Sequence, residues 1–340
     1  MPALQEREGD FSVRVGVIGA GHWHVGIYYL PYLAQMEDVV VVALADPSAE
    51  TLERRRPLAP GAKAYLDYRE MLDMERADFV FAHAAHCEMT ELAADLVEAG
   101  MPFHMEKPMG LEAGALAKVA EAAEAKGLFV SVPLVSRYFG AAARLLDKAD
   151  EAGEAFHYYY RQLAGPPERY RAWGVPWMLD PAMAGPGPWF NFGPHAVDLM
   201  LAMTGWQPRK VFARASHALH GEAVPDLVSV EIDGGDGRIG VVEVGYTLEK
   251  GYERQVTLST DKLHYSGPGD VGTIAWRDGR AEVVDGPVED ESYRLYTRDV
   301  VRRFREGEGP KVGIGQMVKV LRVLCAGSKA IETGEAVEVE

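Results

Sequence analysis

The stretch Val13-Arg14-Val15-Gly16-Val17-Ile18-Gly19-Ala20-Gly21-His22-Trp23-His24 decides the fold. Its first half is a short apolar run, the pattern of a strand buried on both faces of a parallel sheet. Its second half is a glycine turn. Gly19 and Gly21 allow a tight bend and close approach of the backbone to a pyrophosphate, which then sits at a helix N-terminus. His24 stands where the usual fingerprint has a third glycine, so its ring is expected to crowd the phosphate site. Further apolar runs follow at residues 39–45, 77–82, 102–105 and 128–132, with helical patterns between them at 88–99 and 111–126. The last two patterns end at Gly100 and Gly127, which suit helix C-caps. This alternation predicts a doubly wound parallel sheet over residues 1–135.

The run at 39–45 ends in Asp46. A carboxylate there can accept hydrogen bonds from the adenosine ribose hydroxyls and repels a 2′-phosphate. Pro47 follows it rather than an arginine, so NAD is favoured over NADP.

Beyond residue 135 the pattern changes. Residues 137–152 read as a helix, 156–162 as a strand, 165–188 as a Pro/Gly-rich loop, and 194–204 as a helix with Pro194 in its first turn and Gly205 after its end. Strand patterns fill 210–285, with turns at Gly234-Gly235-Asp236-Gly237 and Asp278-Gly279. Two amphipathic helices, 292–305 and 314–333, close the chain. Residues 136–340 therefore read as an α+β domain with a large, open, mostly antiparallel sheet. Its free face suits a second copy of the chain, in a homodimer or homotetramer.

Composition narrows the function. A net charge of −16 without a basic tract argues against nucleic acid and anionic membranes. The run Arg54-Arg55-Arg56 reads as a solvated face. No apolar run reaches the ~20 residues of a membrane span. The first ten residues are polar and acidic, unlike a secretory or transit peptide. Cys87 and Cys325 read as buried or half-buried thiols in a reducing cytoplasm.

Two further motifs could carry chemistry. Glu106-Lys107-Pro108 follows the 102–105 strand, and ligands of open α/β sheets bind beyond the carboxyl ends of strands. Pro108 biases Lys107 towards an extended backbone. In Asn191-Phe192-Gly193-Pro194-His195-Ala196-Val197-Asp198, His195 falls in the first turn of the expected helix, where the dipole favours neutral imidazole.

Taken together, in this order and spacing, these motifs resemble the Gfo/Idh/MocA family (glucose-fructose oxidoreductase, inositol dehydrogenase, rhizopine catabolism). The likeness extends to Asp67-Tyr68-Arg69-Glu70-Met71-Leu72 and to Gly185-Pro186-Gly187. It implies an N-terminal Rossmann domain, a C-terminal domain with a large sheet used in oligomer contacts, and reversible NAD(P)-dependent oxidation of a sugar or polyol hydroxyl. Carried over by position, Lys107 and His195 match the catalytic lysine and histidine. Gly19 and Gly21 match the pyrophosphate turn, and Asp46 the ribose carboxylate. The family's usual aspartate four residues before the histidine is here Asn191, which can hydrogen-bond a hydroxyl but cannot take up a proton. The usual Thr-Pro-Asn-x-x-His is replaced by Ala84-Ala85-His86-Cys87-Glu88-Met89, which places His83 and His86 near the nicotinamide or pyrophosphate. His22, Trp23, Glu106 and Lys107 join the expected cofactor set.

Ten of the 32 aromatic residues lie between Phe156 and Phe192. Those in the loop, with Trp177, suit the wall of a carbohydrate pocket, because aromatic faces pack on sugar C–H groups. Arg137, Tyr160 and Arg161 are polar candidates for that pocket, beside Asn191 and His195. Arginines lining it favour an acidic sugar. No histidine pair has a recognised metal spacing, and no metal is expected.

Oxidation of a secondary alcohol needs a base for the hydroxyl proton. Either His195 serves, with Lys107 charged beside it, or Lys107 serves with its pKa lowered by burial. The expected activity is thus an NAD-dependent dehydrogenase acting on a sugar, polyol or sugar acid. The alternatives are an NAD-dependent glycosidase or lyase using a transient oxidation, and a dinucleotide-binding sensor without turnover.

Overall fold

A computed structural model describes residues 12–340. The reading of the first ten residues as neither secretory nor transit peptide falls outside the described part.

Six strands form the first sheet: β1 (Val13–Ile18), β2 (Val39–Ala45), β3 (Lys63–Tyr65), β4 (Phe79–Ala82), β5 (Phe103–Met105) and β6 (Val130–Ser131). Their order is β3-β2-β1-β4-β5-β6, every pairing is parallel, and the architecture is the doubly wound Rossmann sheet. The sequence reading overlooked β3, whose three residues are too short for a period. Alternation sorts the side chains. Val80, Ala82, Phe103 and Met105 join one core layer. Val13, Val15, Val17, Phe79 and Phe81 join the other. The helical segment after the glycine turn contains a π turn over Val25–Tyr29, directly before Leu30–Leu33. Pro31 explains it: the ring clashes with the carbonyl four residues back, and a wider turn relieves that clash.

The second sheet has nine strands: β7 (Ala155–Ala164), β8 (Lys210–Ser216), β9 (Leu227–Asp233), β10 (Ile239–Gly245), β11 (Tyr252–Thr260), β12 (Leu263–Gly267), β13 (Val271–Trp276), β14 (Ala281–Asp285) and β15 (Val337–Glu338). It runs β14-β13-β12-β11-β7-β10-β9-β8-β15 and is antiparallel except where β7 meets β10. The two glycine turns connect β9 to β10 and β13 to β14, as their composition predicts.

Three expectations are corrected. The 137–152 helix is broken into Val135–Arg137, Gly140–Leu146 and Ala149–Ala152. The expected 194–204 helix starts earlier, at Pro188, so Pro194 lies inside it and His195 is not in its first turn. The helix N-terminal dipole therefore does not set the protonation state of His195. Cys87 is exposed rather than buried.

The C-terminal helices return to the first domain. In Glu289–Glu306, Tyr293, Tyr296, Val300 and Phe304 complete the core layer of β1 and Phe79. A bridge joins Ser131 to Gly313, just before the Ile314–Thr333 helix. Among the described residues, no helix is long and apolar enough to cross a membrane.

Candidate active site

The glycine turn forms one end of a cleft of about 810 Å³. Gly19 has φ +72°, and a Cβ there would fall on the carbonyl of His83. Only glycine lets β1 turn so close to the end of β4. Asp46 sits across the turn. Its Oδ2 accepts from the Gly21 amide at 2.7 Å and its Oδ1 from the Ser48 amide at 3.0 Å. Gly19, Gly21, His22, Asp46 and His83 line this cleft. A tight glycine turn, a carboxylate held by backbone amides and a cleft of this size fit a dinucleotide.

Beneath the cleft lies a buried cluster. His24 Nδ1 donates to Glu106 Oε2 at 2.8 Å, Tyr29 donates to the same oxygen at 3.3 Å, and the Lys107 amide donates to Oε1 at 3.1 Å. Burial alone would raise the Glu106 pKa, but His24, Lys107 and His22 hold it well below the usual carboxylate range. His83, just past β4, and His104 of β5 lie beside the Tyr29 ring, and the Tyr296 hydroxyl of the Glu289–Glu306 helix lies 2.7 Å from His104 Nδ1. Burial lowers the pKa of His83 to about 4 and that of His104 well below its usual value. Two groups, His22/His24/Glu106 and His83/His104/Glu106, bring potential ligand atoms within 4.8 Å of one another. Sequence spacing did not suggest them, because the members come from separate strands and a turn.

Lys107 opens onto a second, smaller cavity. Its side chain is buried, and Nζ donates to the Asn191 carbonyl at 2.9 Å and to Asn191 Oδ1 at 3.0 Å. The Asn191 amide in turn donates to the Tyr170 hydroxyl at 2.6 Å and the Tyr246 hydroxyl at 3.3 Å. Two of the three ammonium donors are thus occupied, and the third is left for a ligand. Burial lowers the Lys107 pKa. His195 lines the same cavity, and burial, followed by Lys107 and Arg254, pushes its pKa well below the usual imidazole value. Burial therefore replaces the helix dipole as the reason this imidazole is neutral. As it stands the cavity holds only about 40 Å³, and Trp173 and Tyr252 are the exposed aromatic residues of its lining.

Residues 13–134 match the family described as "Oxidoreductase family, NAD-binding Rossmann fold", and residues 141–265 match the GFO/IDH/MocA C-terminal domain. The chain belongs to the GFO/IDH/MocA oxidoreductase family. Rhizopine catabolism protein MocA of Rhizobium meliloti is 26% identical over 245 residues, spanning 70% of this chain and 73% of that protein. GenD2 from gentamicin A biosynthesis, solved with NAD, superposes with a TM-score of 0.81 at 21% identity, covering 97% of each chain. Levoglucosan dehydrogenase, solved with NADH, superposes with a TM-score of 0.83 at 18% identity, covering 97% of this chain and 99% of that one. These two superpositions speak for the fold.

Within this GFO/IDH/MocA chain, several expected site residues take other places. Trp23 lines the Lys107 cavity instead of the cofactor cleft, and Trp177 lines the cofactor cleft instead of the substrate cavity. His86 lines neither; its Nδ1 meets the Ala184 carbonyl at 2.9 Å and pins the aromatic loop to the first domain. Glu106 lies below both spaces. Arg137 is outside the cavity, because its guanidinium is spent on Asp198 at 2.7 and 2.6 Å. Tyr160 is buried behind Gln162, to which it donates at 2.6 Å. Arg161 points to the opposite face of the sheet, as strand alternation requires, and pairs with Glu253 at 3.4 Å. The Arg54–Arg56 run is not wholly solvated. Arg54 lines the cofactor cleft, and Arg55 Nε donates to the Ala20 carbonyl at 3.0 Å.

Gln162, Arg254 and Glu289 line the Lys107 cavity and were missed. Gln162 continues the alternation of Tyr158 and Tyr160, which could have flagged it. Nothing local marks Arg254 or Glu289.

Proposed function

We propose that this protein is an NAD-dependent dehydrogenase that interconverts a secondary hydroxyl and a ketone on a sugar, polyol or sugar acid. The observation that carries the reading is the buried Lys107, anchored on Asn191 and sharing a cavity with His195. Gly19, Gly21 and Asp46 would hold the dinucleotide, with His22 and His83 along the cleft. Bound NAD supplies the hydride acceptor. Lys107 takes the hydroxyl proton: desolvation brings its amine closer to neutral pH, where a base is most effective. His195, pushed well below its usual range, is a weaker base and instead hydrogen-bonds the hydroxyl and orients it. Asn191 fixes the Lys107 amine without adding a charge. The name of the levoglucosan dehydrogenase relative supports a carbohydrate substrate.

Cys87 and Cys325, unpaired among the described residues, suit a reducing cytoplasm. Association as a homodimer or homotetramer is assigned to the uncovered face of the nine-stranded sheet, where Phe212 and Ile239 are exposed.

Lys107→Ala tests the reading. Turnover with NAD and a sugar or polyol panel falls by at least ~100-fold, while NADH still binds with its native affinity. Loss of both together sinks the assignment of Lys107 to proton transfer. Accumulation of free NADH with substrate separates a dehydrogenase from a glycosidase or lyase that oxidises only transiently.

A further inference from the structure

We propose that Arg254 is an anion subsite, and that the substrate of the Lys107 cavity carries a carboxylate beside the hydroxyl that reacts. The inference rests on the dehydrogenase reading above and narrows its substrate class to sugar acids.

Arg254 lies on β11 in register with Gln162 on β7, and both side chains line the cavity with Lys107 and His195. The Arg254 side chain is only 13% exposed. Its guanidinium lies over the Phe139 ring, 4.0 Å from the centroid, which fixes the plane. Its Nε is buried and has no aligned hydrogen-bond partner, and the Tyr160 hydroxyl stands as an acceptor beside the guanidinium. A buried donor left unpaired costs free energy, and buried polar groups in folded proteins are almost always paired. Tyr160 spends its proton on Gln162 and gives the guanidinium one acceptor, so a further acceptor on the cavity side is expected from a ligand.

The surrounding groups set the sign of that ligand. Lys107 and Arg254 are the cations lining the cavity, and Glu289 is its only carboxylate among the described residues. Glu289 Oε2 stands 3.6 Å from an Arg254 terminal nitrogen, beyond hydrogen-bonding distance, and its side chain is 35% exposed. It balances part of the arginine charge without occupying Nε. Gln162 Oε1 is taken by the Tyr160 hydroxyl, which leaves the amide donors of Gln162 for a ligand. A planar guanidinium short of acceptors, next to amide donors, matches a carboxylate in two-point contact. Arg169 also has an unpartnered Nε, but its terminal nitrogens are spent on the Gly165 carbonyl and the Tyr170 hydroxyl, and it does not line the cavity.

The test is calorimetric titration of the protein, with and without NADH, using three acid and neutral pairs. These are sodium D-glucuronate and D-glucose, sodium D-galacturonate and D-galactose, and sodium D-gluconate and D-glucitol. At least one acid is expected to bind at least ~10-fold more tightly than its neutral partner. Arg254→Gln weakens that acid by about 10- to 100-fold, as expected for loss of a charged hydrogen bond, and brings it level with the neutral compound. Arg254→Lys recovers part of the preference. Glu289→Gln strengthens acid binding, whereas an arginine that served only as a partner for Glu289 would show no gain. An unchanged NADH affinity establishes that each variant is folded. Equal binding within every pair, or binding of no acid, overturns the proposal. Turnover is read separately: NADH formation from neutral sugars alone leaves the dehydrogenase reading intact and removes the anion subsite. An acid that binds through Arg254 but is never oxidised does the reverse.

Discussion

Asn191→Asp puts the proposed division of labour between Lys107 and His195 to a quantitative test. The new carboxylate oxygen would lie where Oδ1 lies now, 3.0 Å from Lys107 Nζ. At that distance and an effective dielectric near 20, opposite unit charges attract by about 5.5 kcal/mol, equivalent to roughly four pKa units. Burial at a position only 4% exposed raises the carboxylate's own pKa and so reduces the fraction of it that is ionised, which dilutes the effect on Lys107. A net rise of roughly one to two units in the Lys107 pKa is left. The Tyr170 and Tyr246 hydroxyls, which now accept from the Asn191 amide, can rotate to donate to the carboxylate, so the fold tolerates the change. Alcohol oxidation needs the neutral amine. The acidic limb of the kcat/KM profile for oxidation should therefore move up by one to two units, with a tenfold loss of rate per unit at pH values below it. Ketone reduction uses the ammonium as donor, so its activity should persist to correspondingly higher pH. The assay is initial-rate NADH formation and consumption across pH, with NADH affinity measured alongside. An unmoved acidic limb would refute Lys107 as the titrating base and return that role to His195.

Asp46→Ser should weaken NADH and strengthen NADPH, since it removes the carboxylate that repels a 2′-phosphate while Arg54 remains in the same cleft. Fluorescence titration with both nucleotides reads the change, and undiminished NADH preference would exclude Asp46 as the ribose ligand. Arg137→Met should destabilise the fold by about 3–5 kcal/mol in urea unfolding, because it strands the fully buried Asp198 carboxylate. The remaining donor to Asp198, from Gln316 at 2.9 Å, is neutral. A small stability loss with a large change in KM would instead restore Arg137 to the substrate site. Acid should also destabilise the protein. His83 and His86 are held neutral by burial, with pKa values lowered from 6.5 to about 4 and about 3. Between those values and pH 6.5 the unfolded chain binds protons that the folded chain does not, so stability is full above pH 6.5 and declines as pH falls through that window. The loss is roughly 3–5 kcal/mol per histidine. A flat denaturation midpoint from pH 7 to 4 would contradict it.

The sequence alone determined the Rossmann sheet, because Val13–Ile18, the glycine turn and Asp46 are contiguous or periodic signals. Buried parallel strands need unbroken apolar runs, and a turn against His83 needs glycine at position 19. It likewise determined the glycine turns of the second sheet and the Ile314–Thr333 helix, whose bounds follow from its apolar period and Gly334. Lys107, Asn191 and His195 were legible through their motifs, though not the reason His195 is neutral. That reason is burial, which depends on what packs around the helix and not on position within it. Tertiary structure alone decided the rest. The ion pair of Arg137 with Asp198 spans 61 residues, and the contact of His104 with Tyr296 spans 192. The exchange of Trp23 and Trp177 between the two spaces depends on how the aromatic loop folds over the first domain. Arg254 and Glu289 reach Lys107 only because β11 pairs with β7 and the Glu289–Glu306 helix returns to the first sheet. No local pattern carries information of that kind, since the partners are distant in the chain and the chemistry arises only from their contact.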